Sequence, residues 1–373
     1  MLGTILGDII GSPYQYSHNA IKDKEFVLFK ECSHYTDDTV MALAISEAFI
    51  KGYQDEKKSY NEAIKSMQYF GRHYTNAGYG GNFYKWICSM DPKPYQSYGN
   101  GSAMRVTSIA YLYENIDNVQ KFADISARPT HNHVEGLKGA CSIASAIYLA
   151  RHKVDKKIIK KYIKEKYGYK LDKTCDEIRT YNTFDISCQK TVPFALQCFF
   201  EGNSFEECIR LAISLGGDSD TIGAMAGAIA EPYYGIPNGY KEEAYSRMDK
   251  FLTGKLEDFY KFVNDKEKSR KENIERTILL SEDYKNNKEE IINYILSDDM
   301  IDNNYIKTFN LYDFFLVLSD KNNIIKNSDP FLIKAILTCI IKQNKYIDGY
   351  LDSALECGLI KELLISYKSK MFA

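Results

Sequence analysis

Apolar residues along the chain recur three and four positions apart, which is the period of a helix with one buried face. The segments 40–50, 134–150 and 204–214 show this period, and none of them shows the sustained alternation of a half-buried strand. Glycine and proline separate such segments, as expected at the corners between helices. The pattern predicts an all-α fold, with further helices at Ser102–Tyr113, Phe184–Phe200, Leu311–Leu318, Pro330–Ile341 and Tyr346–Ile365.

The first helix is predicted over residues 2–11 and carries a glycine at every fourth position, namely Gly3, Gly7 and Gly11. On a helix this spacing places the glycines on one flat stripe, against which a second helix can pack closely. Asp8 is the only charged residue of the segment. We expect its carboxylate to hydrogen-bond a neighbouring backbone, and the alternative is an indirect role beside a metal site.

The composition changes after about Lys261. Residues 264–293 are rich in Lys, Glu and Asn and are predicted to form an exposed helix or linker, and short apolar helical segments follow from residue 301. All six histidines lie before residue 153. We therefore predict a functional domain over residues 1–264 and a C-terminal helical extension over 265–373. The extension could dock a target protein, mediate oligomerisation or stabilise the domain.

Composition and charge limit the kinds of protein that this chain could be. The chain has 373 residues, of which 45% are hydrophobic, so a large core is expected. A formal net charge of −2 argues against a general nucleic-acid binder. The nine cysteines include no C-x-x-C pair, which favours reduced thiols in a cytosolic protein. No run approaches the roughly 18 apolar residues of a membrane span. The apolar N-terminus also lacks the basic region of a signal peptide, so we expect a cytoplasmic protein without a membrane partner.

Two predicted helices begin with more oxygen-bearing side chains than a helix start requires. Thr36, Asp37 and Asp38 open one helix, and Asp218–Thr221 opens another behind Gly216 and Gly217. Capping needs one such oxygen, and acids in the first turn are otherwise ordinary. Brought together, the two starts would offer up to six oxygen ligands to Mg²⁺, Mn²⁺ or Ca²⁺, and their aspartates could neutralise two ions. The candidate metal ligands are Thr36, Asp37, Asp38, Asp218, Asp220 and Thr221.

Two glycine-rich runs and one pair of histidines also precede helical patterns. The runs are GYGGNF at residues 78–83 and SYGNGSAMR at residues 97–105, and the histidines are His131 and His133. Loops of this kind can expose backbone N–H groups to phosphate oxygens, although ordinary turns between helices are the alternative. Neither run matches a P-loop or a dinucleotide-binding motif. The histidines could bind a metal, act as acid or base, or cap the helix.

Taken in order, TDDT, GYGGNF, SYGNGSAMR, THNH and GGDSDTIGAMAGAIA resemble the motifs of the ADP-ribosylglycohydrolase family, to which dinitrogenase-reductase-activating glycohydrolase belongs. The resemblance covers roughly residues 1–262. It implies a compact domain of orthogonally packed helices that holds two Mg²⁺ or Mn²⁺ ions and releases ADP-ribose from a protein side chain. It also implies that the two acidic helix starts supply the six metal ligands. Asp37, Asp38 and Asp218 would be catalytic. The implied substrate-binding residues are Gly78, Tyr79, Gly80, Ser97, Tyr98, Gly99, Asn100, Gly101 and His131.

One departure leaves the linkage open. Some family members that act on arginine carry an acidic residue in the loop corresponding to Gly78–Phe83, whereas no carboxylate lies between Asn76 and Asp91 in this chain. ADP-ribosyl-arginine is the first expectation. Serine-linked ADP-ribose, O-acetyl-ADP-ribose and thymidine-linked ADP-ribose are the alternatives. Two further hypotheses are a metal-dependent hydrolase of another phosphorylated nucleotide and a non-catalytic ADP-ribose-binding regulatory protein.

Overall fold

Helices form nearly all of the regular structure, as the sequence pattern predicts. The structure is a computed structural model and describes residues 1–16 and 18–372. Over those residues the β-structure is confined to one isolated bridge between Gly99 and Ser187. None of the helices there is long and apolar enough to cross a bilayer. The prediction of an all-α fold is confirmed.

The α-helices are α1 (Leu2–Gly11), α2 (Asp37–Lys51), α3 (Glu56–His73), α4 (Gly81–Cys88), α5 (Gly101–Met104), α6 (Ile109–Leu112), α7 (Ile116–Ala127), α8 (Val134–Arg151), α9 (Lys156–Tyr167), α10 (Cys175–Tyr181), α11 (Cys188–Glu201), α12 (Phe205–Ser214), α13 (Ser219–Tyr234), α14 (Tyr240–Arg247), α15 (Lys250–Leu280), α16 (Tyr284–Ile295), α17 (Tyr305–Tyr312), α18 (Lys321–Asn327), α19 (Pro330–Gln343), α20 (Tyr350–Glu356) and α21 (Leu359–Met371). Short 3-10 helices lie at Ser12–Tyr14, Ser281–Asp283 and Leu318–Asp320.

The predicted glycine stripe of α1 packs against α13. A Cβ built on Gly7 would lie 2.1 Å from the carbonyl oxygen of Gly223, and one on Gly3 would lie 2.2 Å from that of Gly227. The two helices can approach this closely only because these positions lack side chains. At the other end of the stripe, a Cβ on Gly11 would lie 2.3 Å from the Cα of Asp220. The contact therefore brings the end of α1 to the start of α13.

Replacing Gly7 by Ala should lower the free energy of unfolding by about 1–3 kcal/mol or more, since the new methyl group meets backbone atoms that cannot rotate away. Gly254→Ala is the matched control, because that glycine lies inside α15 with open space around it. Alanine is the better helix former there by about 0.5–1 kcal/mol. Urea denaturation of both variants measures the effect, and equal stability of the two would contradict the packing role of the stripe.

The last third of the chain continues from the rest through one unbroken helix. Helix α15 runs without a break from residue 250 to 280, and so crosses the predicted boundary at residue 264. One apolar cluster centres on residues 1–263 and includes Leu311 and Phe331, and a second lies between Ile274 and Tyr367. The prediction that 264–293 is an exposed helix or linker missed that this segment contributes buried residues such as Ile274 and Ile291. The domain division at residue 264 stays a prediction.

Four predicted helices differ in extent from those observed, and one of them, Tyr346–Ile365, is divided into α20 and α21. The predicted helix Ser102–Tyr113 is divided into α5 and α6. The predicted helix Leu311–Leu318 ends at Tyr312. The predicted helix Phe184–Phe200 begins only at Cys188, because the backbone before it pairs with the second glycine-rich loop. There the N–H of Asn100 donates to the carbonyl of Ile186 at 2.8 Å.

Candidate active site

Three helix ends bring five aspartates together. Asp8 comes from the last turns of α1, Asp37 and Asp38 open α2, and Asp218 and Asp220 lie at the start of α13. Asp8, Asp38 and Asp220 each place one carboxylate oxygen within 4.8 Å of the others, and all three are buried. The structure thus brings the two acidic helix starts together and adds Asp8 of α1 as a fifth aspartate.

Asp8 orients the start of α2. Its carboxylate accepts the backbone N–H of Thr36 at 2.8 Å and that of Thr39 at 3.1 Å. It also accepts both threonine hydroxyls, at 2.7 and 2.5 Å. The expectation that Asp8 hydrogen-bonds a neighbouring backbone is met. Because Asp8 contacts Thr36, it also lies next to a predicted metal ligand.

Neighbouring polar groups hold the other acids in place. The hydroxyl of Thr221 donates to Oδ2 of Asp38 at 3.0 Å, and Nδ2 of Asn100 donates to Oδ2 of Asp218 at 2.6 Å. Oδ1 of Asp38 is buried and has no hydrogen-bond partner within the described residues. Asp218 is the N-cap residue of α13, yet its side chain makes no capping hydrogen bond. Oδ1 of Asp38 and the carboxylate of Asp218 are therefore not used to cap the helix starts.

The acidic cluster has no direct basic partner among the described residues, although the charge of Arg105 acts on Asp37. Within residues 1–16 and 18–372, none of the five aspartates forms an ion pair with a lysine or arginine. Burial, followed by the charges of Asp8 and Asp218, raises the pKa of Asp37 to about 8. Burial raises the pKa of Asp218 to about 6, and burial with neighbouring carboxylates raises those of Asp38 and Asp220.

This site fits a divalent cation. Carboxylate and hydroxyl oxygens are the donors that Mg²⁺ and Mn²⁺ select, and an unpartnered buried carboxylate oxygen requires a cation or a proton. The six predicted ligands stay candidates for holding such ions. Of these, Asp38 and Asp220 belong with Asp8 to the group of carboxylate oxygens within 4.8 Å of one another, and the hydroxyl of Thr221 donates to Asp38. This donor set agrees with the divalent ions that the sequence resemblance implies.

A cleft of about 380 Å³ opens above the aspartates. Of the residues predicted for metal binding and substrate binding, twelve line it: Asp37, Asp38, Gly78, Gly80, Ser97, Gly99, Asn100, Gly101, His131, Asp218, Asp220 and Thr221. Thr36, Tyr79 and Tyr98 do not. The Tyr79 ring lies against Phe83, with ring centroids 5.6 Å apart. Tyr98 is 53% exposed, and its ring lies against His133.

Both glycine-rich loops end at helix starts that face the cleft. Gly80 is the N-cap residue of α4 and Asn100 that of α5, and neither helix start is capped by a side chain. The first loop is tied to the metal site because the N–H of Asp37 donates to the carbonyl of Ala77 at 2.7 Å. The N–H groups of such helix starts can receive anionic oxygens. In the second loop the N–H of Gly99 already donates to Oγ of Ser97 and that of Asn100 to the carbonyl of Ile186.

Ten residues that also line the cleft were not predicted as site residues from the sequence. They are Gln15, Tyr16, Gly81, Asn82, Phe83, Tyr95, Met104, Arg105, Phe184 and Ile186. Gly81, Asn82, Phe83, Met104 and Arg105 lie in the two glycine-rich runs, so adjacency to the loops could have marked them. The periodicity predicts Phe184 and Ile186 in a helix. Their place at the cleft depends on the pairing of residues 186–188 with the second loop, which is a tertiary contact.

Comparison with known proteins agrees with this arrangement. The sequence profile of the family described as ADP-ribosylglycohydrolase matches residues 1–265. The chain belongs to this family. It is 29% identical to human ADP-ribosylhydrolase ARH3, over an alignment that covers 67% of this chain and 89% of that protein. It is 23% identical to the ADP-ribosylarginine hydrolase Tri1 of Pseudomonas putida, over 69% of this chain and 76% of that protein. A solved structure titled ADP-ribosylglycohydrolase-related protein complex has the same fold, with 24% identity and a TM-score of 0.52 over 70% of this chain and 95% of that one.

Divalent cations are expected to stabilise this ADP-ribosylglycohydrolase family member against heat, and more at pH 8 than at pH 6. A cation binds the ionised carboxylates, whereas the metal-free site keeps protons up to the raised pKa values of about 6 for Asp218 and about 8 for Asp37. In the unfolded chain these acids ionise near pH ~4, so the stability of the metal-free protein should fall as the pH rises from about 4 through about 8.

Thermal unfolding with chelator, Mg²⁺ or Mn²⁺ at pH 6, 7 and 8 tests this expectation, with Na⁺ at equal ionic strength as the control. A cation concentration of about 100 times its Kd would add about 2.7 kcal/mol. A cation effect that stays constant or shrinks toward pH 8 would contradict the assignment of the carboxylates as ligands.

Proposed function

We propose that the protein is a hydrolase dependent on Mg²⁺ or Mn²⁺ that releases ADP-ribose from a modified protein side chain. The observation that carries the proposal is the set of uncompensated buried aspartates at the floor of a cleft, with two free helix starts beside them. Membership of the ADP-ribosylglycohydrolase family supports the reaction class.

Each part of the cleft would then have one task. Two divalent cations, when bound, would supply positive charge and Lewis acidity beside the ribose to be released. The loops at Gly78–Gly80 and Ser97–Gly101 would hold the two phosphates through backbone N–H groups. Asn100 would keep the carboxylate of Asp218 in one orientation, since its amide already donates to Oδ2.

The carboxylates also supply the proton chemistry of the proposed reaction. Hydrolysis requires a group that accepts a proton from the attacking water and a group that returns one to the leaving atom. Asp37, Asp38 and Asp218 line the cleft, and a carboxylate among them that faces the attacking water would accept its proton.

For the linkage we propose arginine. Tri1 of Pseudomonas putida, which is 23% identical, is named an ADP-ribosylarginine hydrolase. The first glycine-rich loop offers no carboxylate to a guanidinium, and the acids at the cleft floor are the negative groups near the ribose. An arginine leaving group would have to be recognised by those acids.

Purified protein incubated with Mg²⁺ or Mn²⁺ and with matched arginine-linked, serine-linked and thymidine-linked substrates tests the proposal. We expect free ADP-ribose from the arginine-linked substrate, and none when chelator replaces the metal. If ADP-ribose is released only from the serine-linked or the thymidine-linked substrate, the proposed arginine linkage is wrong and the reaction class stands. Binding of ADP-ribose without release from any of them would identify a non-catalytic binder instead.

A further inference from the structure

Arg105 is a buried cation beneath the cleft. It follows α5 directly, is 1% exposed and lines the cleft floor. Within the described part of the chain no carboxylate forms an ion pair with it. Its Nη2 instead donates to the carbonyl of Ser126 at 3.2 Å and to the hydroxyl of Thr130 at 2.8 Å. The guanidinium therefore occupies one acceptor site of the Thr130 hydroxyl.

The hydroxyl of Thr130 donates its own proton to a group other than Arg105. Its oxygen lies 2.6 Å from Nδ1 of His131 and 3.4 Å from the carbonyl oxygen of Ala127. That carbonyl already accepts the N–H groups of Thr130 and His131, at 3.2 and 2.9 Å. The hydroxyl can also donate to that carbonyl, but the carbonyl is 3.4 Å away and already accepts two N–H groups, whereas Nδ1 is only 2.6 Å away. The shorter contact favours donation from the hydroxyl to Nδ1, with Nδ1 as the acceptor. A neutral imidazole with Nδ1 as acceptor carries its proton on Nε2.

The Nε2 atom faces the second glycine-rich loop. A Cβ built on Gly99 or Gly101 would lie 3.7 or 3.5 Å from it, so the missing side chains leave that edge of the ring open. His131 is 4% exposed and lines the cleft, and over residues 1–16 and 18–372 its Nε2 has no hydrogen-bond partner. Burial, followed by the charge of Arg105, keeps the pKa of His131 well below its usual value, which favours the neutral ring.

We propose that Arg105 and Thr130 are positioning residues that fix His131 as the Nε2–H tautomer, and that this N–H donates to a phosphate oxygen held at Gly99–Gly101. The phosphate follows from the proposed function, on which this part of the inference rests. In this state the imidazole has no free lone pair in the cleft. His131 therefore serves as a hydrogen-bond donor there, and neither as a general base nor as a metal ligand.

The tautomer is tested first in the free protein. Nitrogen-15 NMR of histidine-labelled full-length protein distinguishes protonated from acceptor ring nitrogens, and the His131→Gln variant assigns the signal. Wild type and Thr130→Ser, which keeps the hydroxyl, should show the Nε2–H form. Thr130→Val removes the hydroxyl at nearly equal size and should give a mixture. A wild-type ring protonated on Nδ1, or an unchanged spectrum in Thr130→Val, would overturn the proposal.

The ligand is tested by calorimetric binding of ADP-ribose to the same proteins. Thr130→Val should weaken binding by about 10-fold when residue 131 is His, because the donor to a charged oxygen is no longer held. In the His131→Gln background the same change should have less than about a 2-fold effect, because the Gln amide takes no direction from Thr130. Equal losses in both backgrounds would overturn the coupling even if ADP-ribose release is intact. A protein with the expected tautomer that binds no ADP-ribose would overturn the phosphate assignment together with the proposed function.

Discussion

Asp218→Asn is expected to reduce ADP-ribose release by about 10²–10⁴-fold while the protein stays folded. Asparagine has the same shape and can still accept the hydrogen bond that Asn100 donates at 2.6 Å. The fold should tolerate the change, because Asp218 lies among like charges and burial raises its pKa to about 6. The variant loses the charge that would bind a cation and the group that would take a proton.

Asp91→Asn is the matched control for this variant. That aspartate is 80% exposed on its side chain and pairs with Lys93 on the surface. Release rates at increasing Mn²⁺ separate the two roles of Asp218. A rate that recovers at high Mn²⁺ indicates a ligand, and a rate that stays low indicates the proton acceptor. An Asp218→Asn protein with the wild-type rate at low metal would exclude both roles.

The parts of the site that could be predicted from the sequence are those encoded by local geometry. Thr36 caps α2 as expected, because its hydroxyl accepts the N–H of Asp38 at 3.4 Å. Gly216 and Gly217 turn the chain before α13 with φ values of +66° and +77°, a backbone conformation that favours glycine. The spacing of Gly3, Gly7 and Gly11 indicated a close helix contact. Each of these features depends on residues a few positions apart.

What the sequence could not show was which distant residues meet. The glycine stripe predicted a close helix partner for α1 without identifying α13, and the place of Asp8 in the acidic cluster depends on that partner. Phe184 is a second example. The pattern around it predicts a helix, whereas a tertiary backbone pairing holds the segment extended beside the cleft. Period and composition carry no information about such pairings.

Buried charge in the C-terminal extension was the least predictable feature. Glu114 lies before α7 with its side chain 3% exposed, and four basic side chains surround it. Its Oε1 lies 3.0 Å from Arg151 of α8 and 2.7 Å from Arg270 of α15, and its Oε2 lies 3.3 Å from His152 and 3.8 Å from Lys334 of α19. In the sequence, Arg270 and Lys334 resemble the solvated charges around them. In the structure they link the extension to residues before 153.

Glu114→Gln is expected to lower the free energy of unfolding by about 3–5 kcal/mol, because it removes the buried counter-ion that Arg151, Arg270 and Lys334 share. Only the more exposed Glu267 and Asp299 then remain beside the two arginines. Burial alone would raise the pKa of Glu114, but Arg270 and Arg151 hold it well below its usual value. The stabilising effect is therefore fully present above about pH 4.5, the ordinary value in an unfolded chain, and is lost as the pH falls further. The difference between wild type and variant should shrink in the same range.

Glu275→Gln is the control, since Glu275 makes a comparable contact with Lys368 of the extension at 2.7 Å with its side chain 45% exposed. Exposed pairs of this kind contribute about 0–1 kcal/mol. Urea denaturation at pH 7 and pH 4, together with limited proteolysis of residues 265–372, gives the comparison. If Glu114→Gln were no less stable than Glu275→Gln, the buried charges would not be what attaches the extension. If it is less stable and is cleaved first within the extension, the buried charges are what attach the extension to the domain.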